Sequence, residues 1–285
     1  MRLRRSNKNH RTREHVRRHL DRLTARPEST EAPERLRKGV AVSSRYDQGW
    51  RIHTITPSGS RSLGTVVYLH GGGWISEAVS AHWNLVQKIV VEASVTVIMP
   101  VYPLVHHGGT AETVVPFVAR LSEETDGPLI LMGDSAGGTI ALSVSLLLAQ
   151  RDRPADLTVL IAPALDLRLE NPEIDAIQPL DPWLVKKGQK MLTEMWIGEH
   201  TEDPILNPFL GDTRNVGRLL IFSGTRDLLN PDTRIFVRTA EDAGADIEYH
   251  EQPGHLHVYP FLPTPEGKRA RSAIAKAVRE AVNLG

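Results

Sequence analysis

Short apolar runs and longer helix-patterned stretches alternate through most of this chain. The runs lie at 65–69, 95–99, 129–132, 157–161, 219–222 and 247–250. Short runs dominated by apolar residues need cover on both faces. They suit the interior of a parallel sheet rather than a half-exposed antiparallel one. Strands interleaved with helices in this way imply the α/β class, a mostly parallel central sheet with helices on both sides. Ahead of them, Val40 and Val42 and then Trp50, Ile52 and Ile55 read as a hairpin turned at Asp47, Gln48 and Gly49. At the far end a helix over 268–283 sets Ile274, Val278 and Val282 at four-residue steps, a stripe that covers one sheet face.

The alternation breaks between Leu167 and Asp212, where Pro172, Pro179, Pro182, Pro204 and Pro208 leave room for one good helix, over 183–195. A helical cap inserted into the sheet domain is the expectation, and Asp181 before Pro182 reads as the start of its helix. Its apolar residues Ile177, Leu180, Trp183, Leu184, Met191, Met195 and Trp196 pack the cap for the most part, or line a pocket. A second helix, from about His10 to Arg26, places Val16, Leu20 and Leu23 on a narrow stripe that must lean on something. The expected division is therefore 1–39 as the N-terminal helical part of a cap, 40–166 as the first part of the core, 167–212 as the cap insertion and 213–285 as the second part of the core.

The chain has 285 residues, 40% of them hydrophobic and 24% charged, which suits one folded domain with a cap. It has no cysteine, so disulfides, thiolate metal sites and a cysteine nucleophile are excluded. Thirty-four basic residues balance thirty-four acidic ones. Arg2, Arg4, Arg5, Arg17, Arg18 and Arg22 nevertheless crowd the front without interleaved aromatics, and read as a solvated basic helix rather than a nucleic-acid or membrane-surface site. No apolar stretch approaches a membrane span, and no apolar run follows the basic start, so the expectation is a cytoplasmic protein with no integral membrane contact. His106 and His107 adjoin each other but lack a third ligand at sensible spacing, so no metal is expected.

Gly133, Asp134, Ser135, Ala136 and Gly137 spell G-x-S-x-G directly after the run 129–132 and directly before a helical run. That is the strand, sharp turn and helix of a nucleophile elbow, in which glycines two residues either side of the serine avoid collisions with neighbouring chain. Upstream, His70, Gly71, Gly72, Gly73 and Trp74 again follow a strand. Bare glycine amides at Gly72 and Gly73, with the amide of Ala136, form a candidate oxyanion hole, while His70 reads as a loop-shaping residue. In the order serine, acid, histidine, Asp227 follows the run 219–222 and is preferred as the acid over Asp232, which reads as a helix start. His255 and His257 compete for the base. Asp134 reads as a hydrogen-bonding neighbour of the nucleophile and Asp166 as a loop anchor.

HGGGW at 70–74 followed by GDSAGG at 133–138 resembles the hormone-sensitive-lipase-like family of esterases and lipases, and the stretches 33–39 and 203–212 are similar to actinobacterial-type carboxylesterases of that family. The resemblance covers most of the chain. It implies an α/β-hydrolase fold, a cap built from N-terminal helices and an insertion, no cofactor, and hydrolysis of short- to medium-chain carboxylic esters. It also favours His257, followed by Val258 and Tyr259, over His255. Where many relatives carry a Tyr-Arg-Leu-Ala-Pro segment this chain has Tyr102, Pro103, Leu104, Val105, His106 and His107, which bears on pocket shape. The expected activity is thus that of a serine carboxylesterase using Ser135, Asp227 and His257 on a small-molecule ester, with no nucleic-acid partner and with a homodimer left open. A lactone, an acetylated natural product including an N-acetyl amide, and a non-catalytic receptor on the same fold are the competing readings.

Overall fold

The computed structural model describes residues 12–284, so the arginines at positions 2, 4 and 5 lie outside the described residues. One eight-stranded sheet runs in the order β1-β2-β4-β3-β5-β6-β7-β8. Its strands are β1 (Val40–Asp47), β2 (Trp50–Pro57), β3 (Thr65–Leu69), β4 (Thr96–Pro100), β5 (Leu129–Asp134), β6 (Leu157–Ile161), β7 (Arg218–Gly224) and β8 (Ile247–Gln252). β1 and β2 form the expected hairpin, and β2 joins β4 antiparallel. Every other pairing is parallel. The fold is that of an α/β hydrolase.

Side chains alternate across the sheet, so neighbouring apolar residues in one run feed two cores. Val67, Leu69, Leu131, Leu160, Leu219 and Ile221 face α3 (Ala111–Glu123), α4 (Ala136–Gln150) and α7 (Asn230–Asp242). Val66, Tyr68, Ile130, Met132, Val159, Leu220 and Phe222 face α2 (Ser80–Ala93) and α8 (Pro265–Leu284). All five residues of β6 are buried, as a doubly covered strand requires. The chain leaves β3 towards β4 on one side and returns to β5 on the other. The loops after β3 and β5 therefore part at a topological switch point, where open α/β sheets hold their ligands.

Helix α1 (Arg13–Ala25) buries Val16, Leu20 and Leu23 and packs on α6 (Lys186–Ile197). The inserted segment also contains a short α5 (Glu173–Ile177) that the sequence pattern did not reveal. The expected helix at 183–195 begins instead at Lys186, because Asp181 Oδ1 accepts the amides of Trp183 and Leu184 and holds that stretch in a turn. No helix among the described residues is long and apolar enough to cross a membrane.

Candidate active site

Between β5 and α4, Ser135 is held at φ 51, ψ −120. A non-glycine residue there costs about 1–3 kcal/mol and persists only where its surroundings over-determine it. Here the Ser135 amide donates to Ile161 O at 2.8 Å, and its carbonyl accepts from Gly138 at 2.9 Å and Thr139 at 3.2 Å. The turn passes so close to its neighbours that a Cβ at Gly133 would lie 2.1 Å from Gly137 O, and one at Gly137 would lie 2.0 Å from Leu69 O. Those contacts are the physical reason for glycine at both places. The hydroxyl is thereby presented above the carboxyl ends of the strands.

The loop after β8 delivers His257 to that hydroxyl. Nε2 lies 2.9 Å from Ser135 Oγ and Nδ1 lies 2.8 Å from Asp227 Oδ2. A carboxylate only accepts, so Nδ1 carries the proton and donates to Asp227, which leaves Nε2 to accept from the Ser135 hydroxyl. Asp227 is fully buried at the end of β7, and its Oδ1 accepts the Leu229 amide at 3.0 Å. Burial acts to lower the His257 pKa. The Asp227 carboxylate, by charge and hydrogen bond, outweighs it with help from Asp181 and Asp134, so the imidazole is more basic than an ordinary histidine.

The competing residues fall elsewhere. His255 Nε2 stands 3.5 Å from Glu266 Oε2, and its carbonyl accepts the Arg226 amide, so it braces the loop carrying Asp227. Asp232 sits in the first turn of α7 but does not cap it. It is buried and accepts from Asn171 Nδ2 at 2.8 Å. Burial pushes its carboxyl up to about 6.

In the glycine loop the Gly71 amide is already engaged, donating to Asp134 Oδ1 at 3.0 Å. The amides of Gly72, Gly73 and Ala136 donate to no group among the described residues, and so remain available to an anion. Asp134 anchors the loop, since it also accepts from the Tyr68 hydroxyl at 2.6 Å and from His82 Nε2 at 3.3 Å. Burial alone would raise the Asp134 carboxyl, but His82, Tyr68 and the Gly71 amide hold it below its ordinary value. His82 Nδ1 accepts the Val79 amide, which fixes its ring. No short motif points to His82. The available signal was a histidine among the mostly apolar buried residues of α2. His70 shapes the loop, its Nδ1 donating to Gly71 O at 2.8 Å while its own carbonyl accepts from the Tyr102 hydroxyl at 2.7 Å. Burial and His82 push His70 down to about 4, so it stays neutral.

The segment between β6 and β7 packs against this loop. Leu192, absent from the expected pocket inventory, comes within 3.3 Å of where a Gly73 Cβ would be. Trp196 is buried and stacks on Trp74 with centroids 5.4 Å apart. Ile177, Trp183, Leu184, Met191 and Met195 are half-buried, whereas Leu180 is exposed. Asp166 pairs with Arg168 at 2.9 Å, anchoring the start of the segment. Asp181 does not start a helix: it is buried, and its Oδ2 accepts the amide of Leu228.

Residues 66–261 match the model of a family described as having the alpha/beta hydrolase fold. Over 228 residues the chain is 28% identical to a triacylglycerol lipase of Mycobacterium tuberculosis, a match covering 78% of this chain and 47% of that protein. It is 29% identical to an acetyl-hydrolase of Streptomyces hygroscopicus, covering 78% and 77% respectively. The chain thus spans about half the length of the first relative and most of the second. A solved esterase from the bacterial hormone-sensitive lipase family superposes with a TM-score of 0.76 at 23% identity, over 98% of this chain and 94% of that one. By the extent of the family match and by its fold, the chain belongs to the α/β-hydrolase family.

Proposed function

We propose that this protein hydrolyses small carboxylic esters through an acyl-enzyme, with Ser135 as nucleophile, His257 as base and acid, and Asp227 as the carboxylate that orients it. The observation that carries the reading is the continuous chain from Asp227 Oδ2 through His257 to Ser135 Oγ, with links of 2.8 and 2.9 Å, ending on a serine held at φ 51. In this reading the Ser135 oxygen attacks the ester carbonyl as its proton passes to His257 Nε2. The tetrahedral oxyanion takes the amides of Gly72, Gly73 and Ala136. Collapse expels the alcohol, which receives the proton from Nε2. Water then repeats the sequence and frees the acid. Asp227 stabilises the imidazolium formed in each half without being protonated itself.

Short acyl groups are favoured by the roof, because Leu192 and the Trp74 and Trp196 stack fill the space beside the glycine loop. The acetyl-hydrolase among the relatives supports an acetyl-sized group. A cap made of α1 and the segment 167–212 belongs to the same proposal. The test is turnover of p-nitrophenyl esters from acetate to decanoate beside Ser135→Ala. Release that falls with chain length, and drops roughly 10⁴-fold or more in the variant, is expected. Turnover that survives the substitution sinks the assignment, and activity confined to lactones or acetamides replaces the ester wording.

A further inference from the structure

The mechanism above makes no use of a buried carboxylate that the inserted segment brings beside the triad. Asp181 lies in the inserted segment between α5 and α6 and is 3% exposed. Both its oxygens are engaged by backbone amides. Oδ1 accepts from Trp183 at 2.8 Å and Leu184 at 2.9 Å, and Oδ2 accepts from Leu228 at 2.9 Å. Leu228 directly follows Asp227, so the two consecutive amides after the triad acid go to two different carboxylates: Leu228 to Asp181 and Leu229 to Asp227 itself. A second tie runs alongside, from Arg226 Nη2 to the carbonyl of Leu180 at 3.3 Å. The loop bearing the acid is therefore gripped by the roof at residues on both sides of Asp227.

We propose that Asp181 is a positioning residue of this site: from the inserted segment it fixes the Leu228 amide, and with it the Asp227 carboxylate, and it places a second negative charge facing His257. The inference rests on the esterase reading of the preceding section. Because the charge sits on the roof and not on the sheet, the readiness of the base depends on the roof being seated.

The groups that bear on this pair come from every surrounding element. His257 is faced by Asp227 from the end of β7, by Asp181 from the inserted segment and by Asp134 from the end of β5, all of which favour its cation. Asp181 is itself raised, first by burial and then by the charge of Asp227, against the opposing pull of the Leu184 amide, His257 and the Leu228 amide. A carboxylate with a like charge at hand persists in a buried place when amides saturate it and a cation forms opposite. During acylation, His257 becomes that cation.

The test titrates the His257 ring by NMR in the full chain, as wild type, Asp181→Asn and Asp181→Ser, and measures kcat and KM on p-nitrophenyl butyrate over the same pH range. Asparagine removes the charge and keeps an acceptor for Trp183 and Leu184; serine is a smaller side chain that can still accept one amide, so either folded variant decides. The expected result is a His257 midpoint lowered by roughly half a pH unit. We also expect kcat lowered about tenfold by the displaced acid, with KM changed by less than about threefold. A folded variant whose His257 midpoint and kcat match wild type overturns the proposal and leaves Asp181 as packing. Wild-type protein whose His257 titrates but which cleaves no ester defeats the esterase reading instead, and the midpoint comparison still reads Asp181.

Discussion

Two regions meet over Ser135 and are built on different principles. On the sheet side, backbone does the placing: the elbow leaves no room for a Cβ at residues 133 and 137, and main-chain bonds to Ile161, Gly138 and Thr139 hold the serine. In the inserted segment, polar side chains do it. Asn207 accepts the Leu167 amide and donates to Thr201 O, Asp203 accepts the amides of Ile205 and Leu206, and Asp181 accepts three amides from two elements. A backbone-built site tolerates almost no change of size. A roof held by side chains can be resized while the chemistry beneath it stays put.

The sharpest way to break this contrast is to add one methyl group to each region. Gly137→Ala places Cβ 2.0 Å from the Leu69 carbonyl, and backbone cannot yield there. The expected outcome is loss of soluble, folded protein or a fall in Tm of about 10 °C or more. Gly198→Ala, at the end of α6, meets nothing within 4 Å and bears only the strain of its φ of 57°. It should lose about 1–2 kcal/mol and keep its turnover. Equal losses in thermal melts of the two variants would remove the distinction. The next test reads the base, which the sheet carries and Asp181 of the inserted segment faces. His257 must be neutral to accept the serine proton, and its pKa is raised above the ordinary 6.5. Turnover should therefore fall as pH drops through a midpoint above 6.5, by more than about 30-fold between pH 8 and pH 5. A midpoint below 6.5 in kcat/KM would show that Asp227 does not support the imidazolium.

The same contrast explains what could be read in advance. The sheet was legible because its apolar runs state their own burial: β3 and β6 match the runs 65–69 and 157–161 residue for residue, and the other strands differ from their runs only at the ends. Ser135, Gly133 and Gly137 were legible because one backbone conformation forces their residue types. Asp227 and His257 were chosen by chain order and resemblance, and the structure brings them together with Ser135. The segment 167–212 was not legible in detail. Whether Asp181 caps a helix or reaches another loop depends on a partner 47 positions away, and local sequence does not encode that distance. Leu192 and His82 were missed for the same reason, since each looks like an ordinary residue of its helix until the opposite surface is in place.

If the roof can be resized independently, Leu192→Ala should show it. The side chain is buried beside Gly73, so its removal opens space next to the reacting carbonyl and costs about 2–4 kcal/mol of stability. The ratio of kcat/KM for p-nitrophenyl decanoate over butyrate should rise about tenfold, while the acid midpoint set by His257 stays where it was. A moved midpoint with an unchanged ratio would mean that Leu192 acts on the base and not on the acyl group.

The smallest effect tests the seam between the regions. Asn171 of the inserted segment donates to Asp232 Oδ1, while Asp232 Oδ2 is buried with no partner among the described residues. Burial raises this carboxyl from 3.8 to about 6. Between those values the folded protein binds the more protons, so stability falls as pH rises through that window and the full penalty is in place above about 6. Asp232→Asn removes the charge and with it a penalty of roughly 3 kcal/mol at pH 7. It also buries an unpartnered amide, which costs about 1–2 kcal/mol. The net expectation is a gain of about 1 kcal/mol at pH 7, some 2 °C in Tm. At pH 4 the wild-type group is already neutral in the folded state, and the gain should vanish or reverse. A gain equal at both pH values would place its origin in packing rather than charge, and the seam would then be held as the sheet side is, by shape.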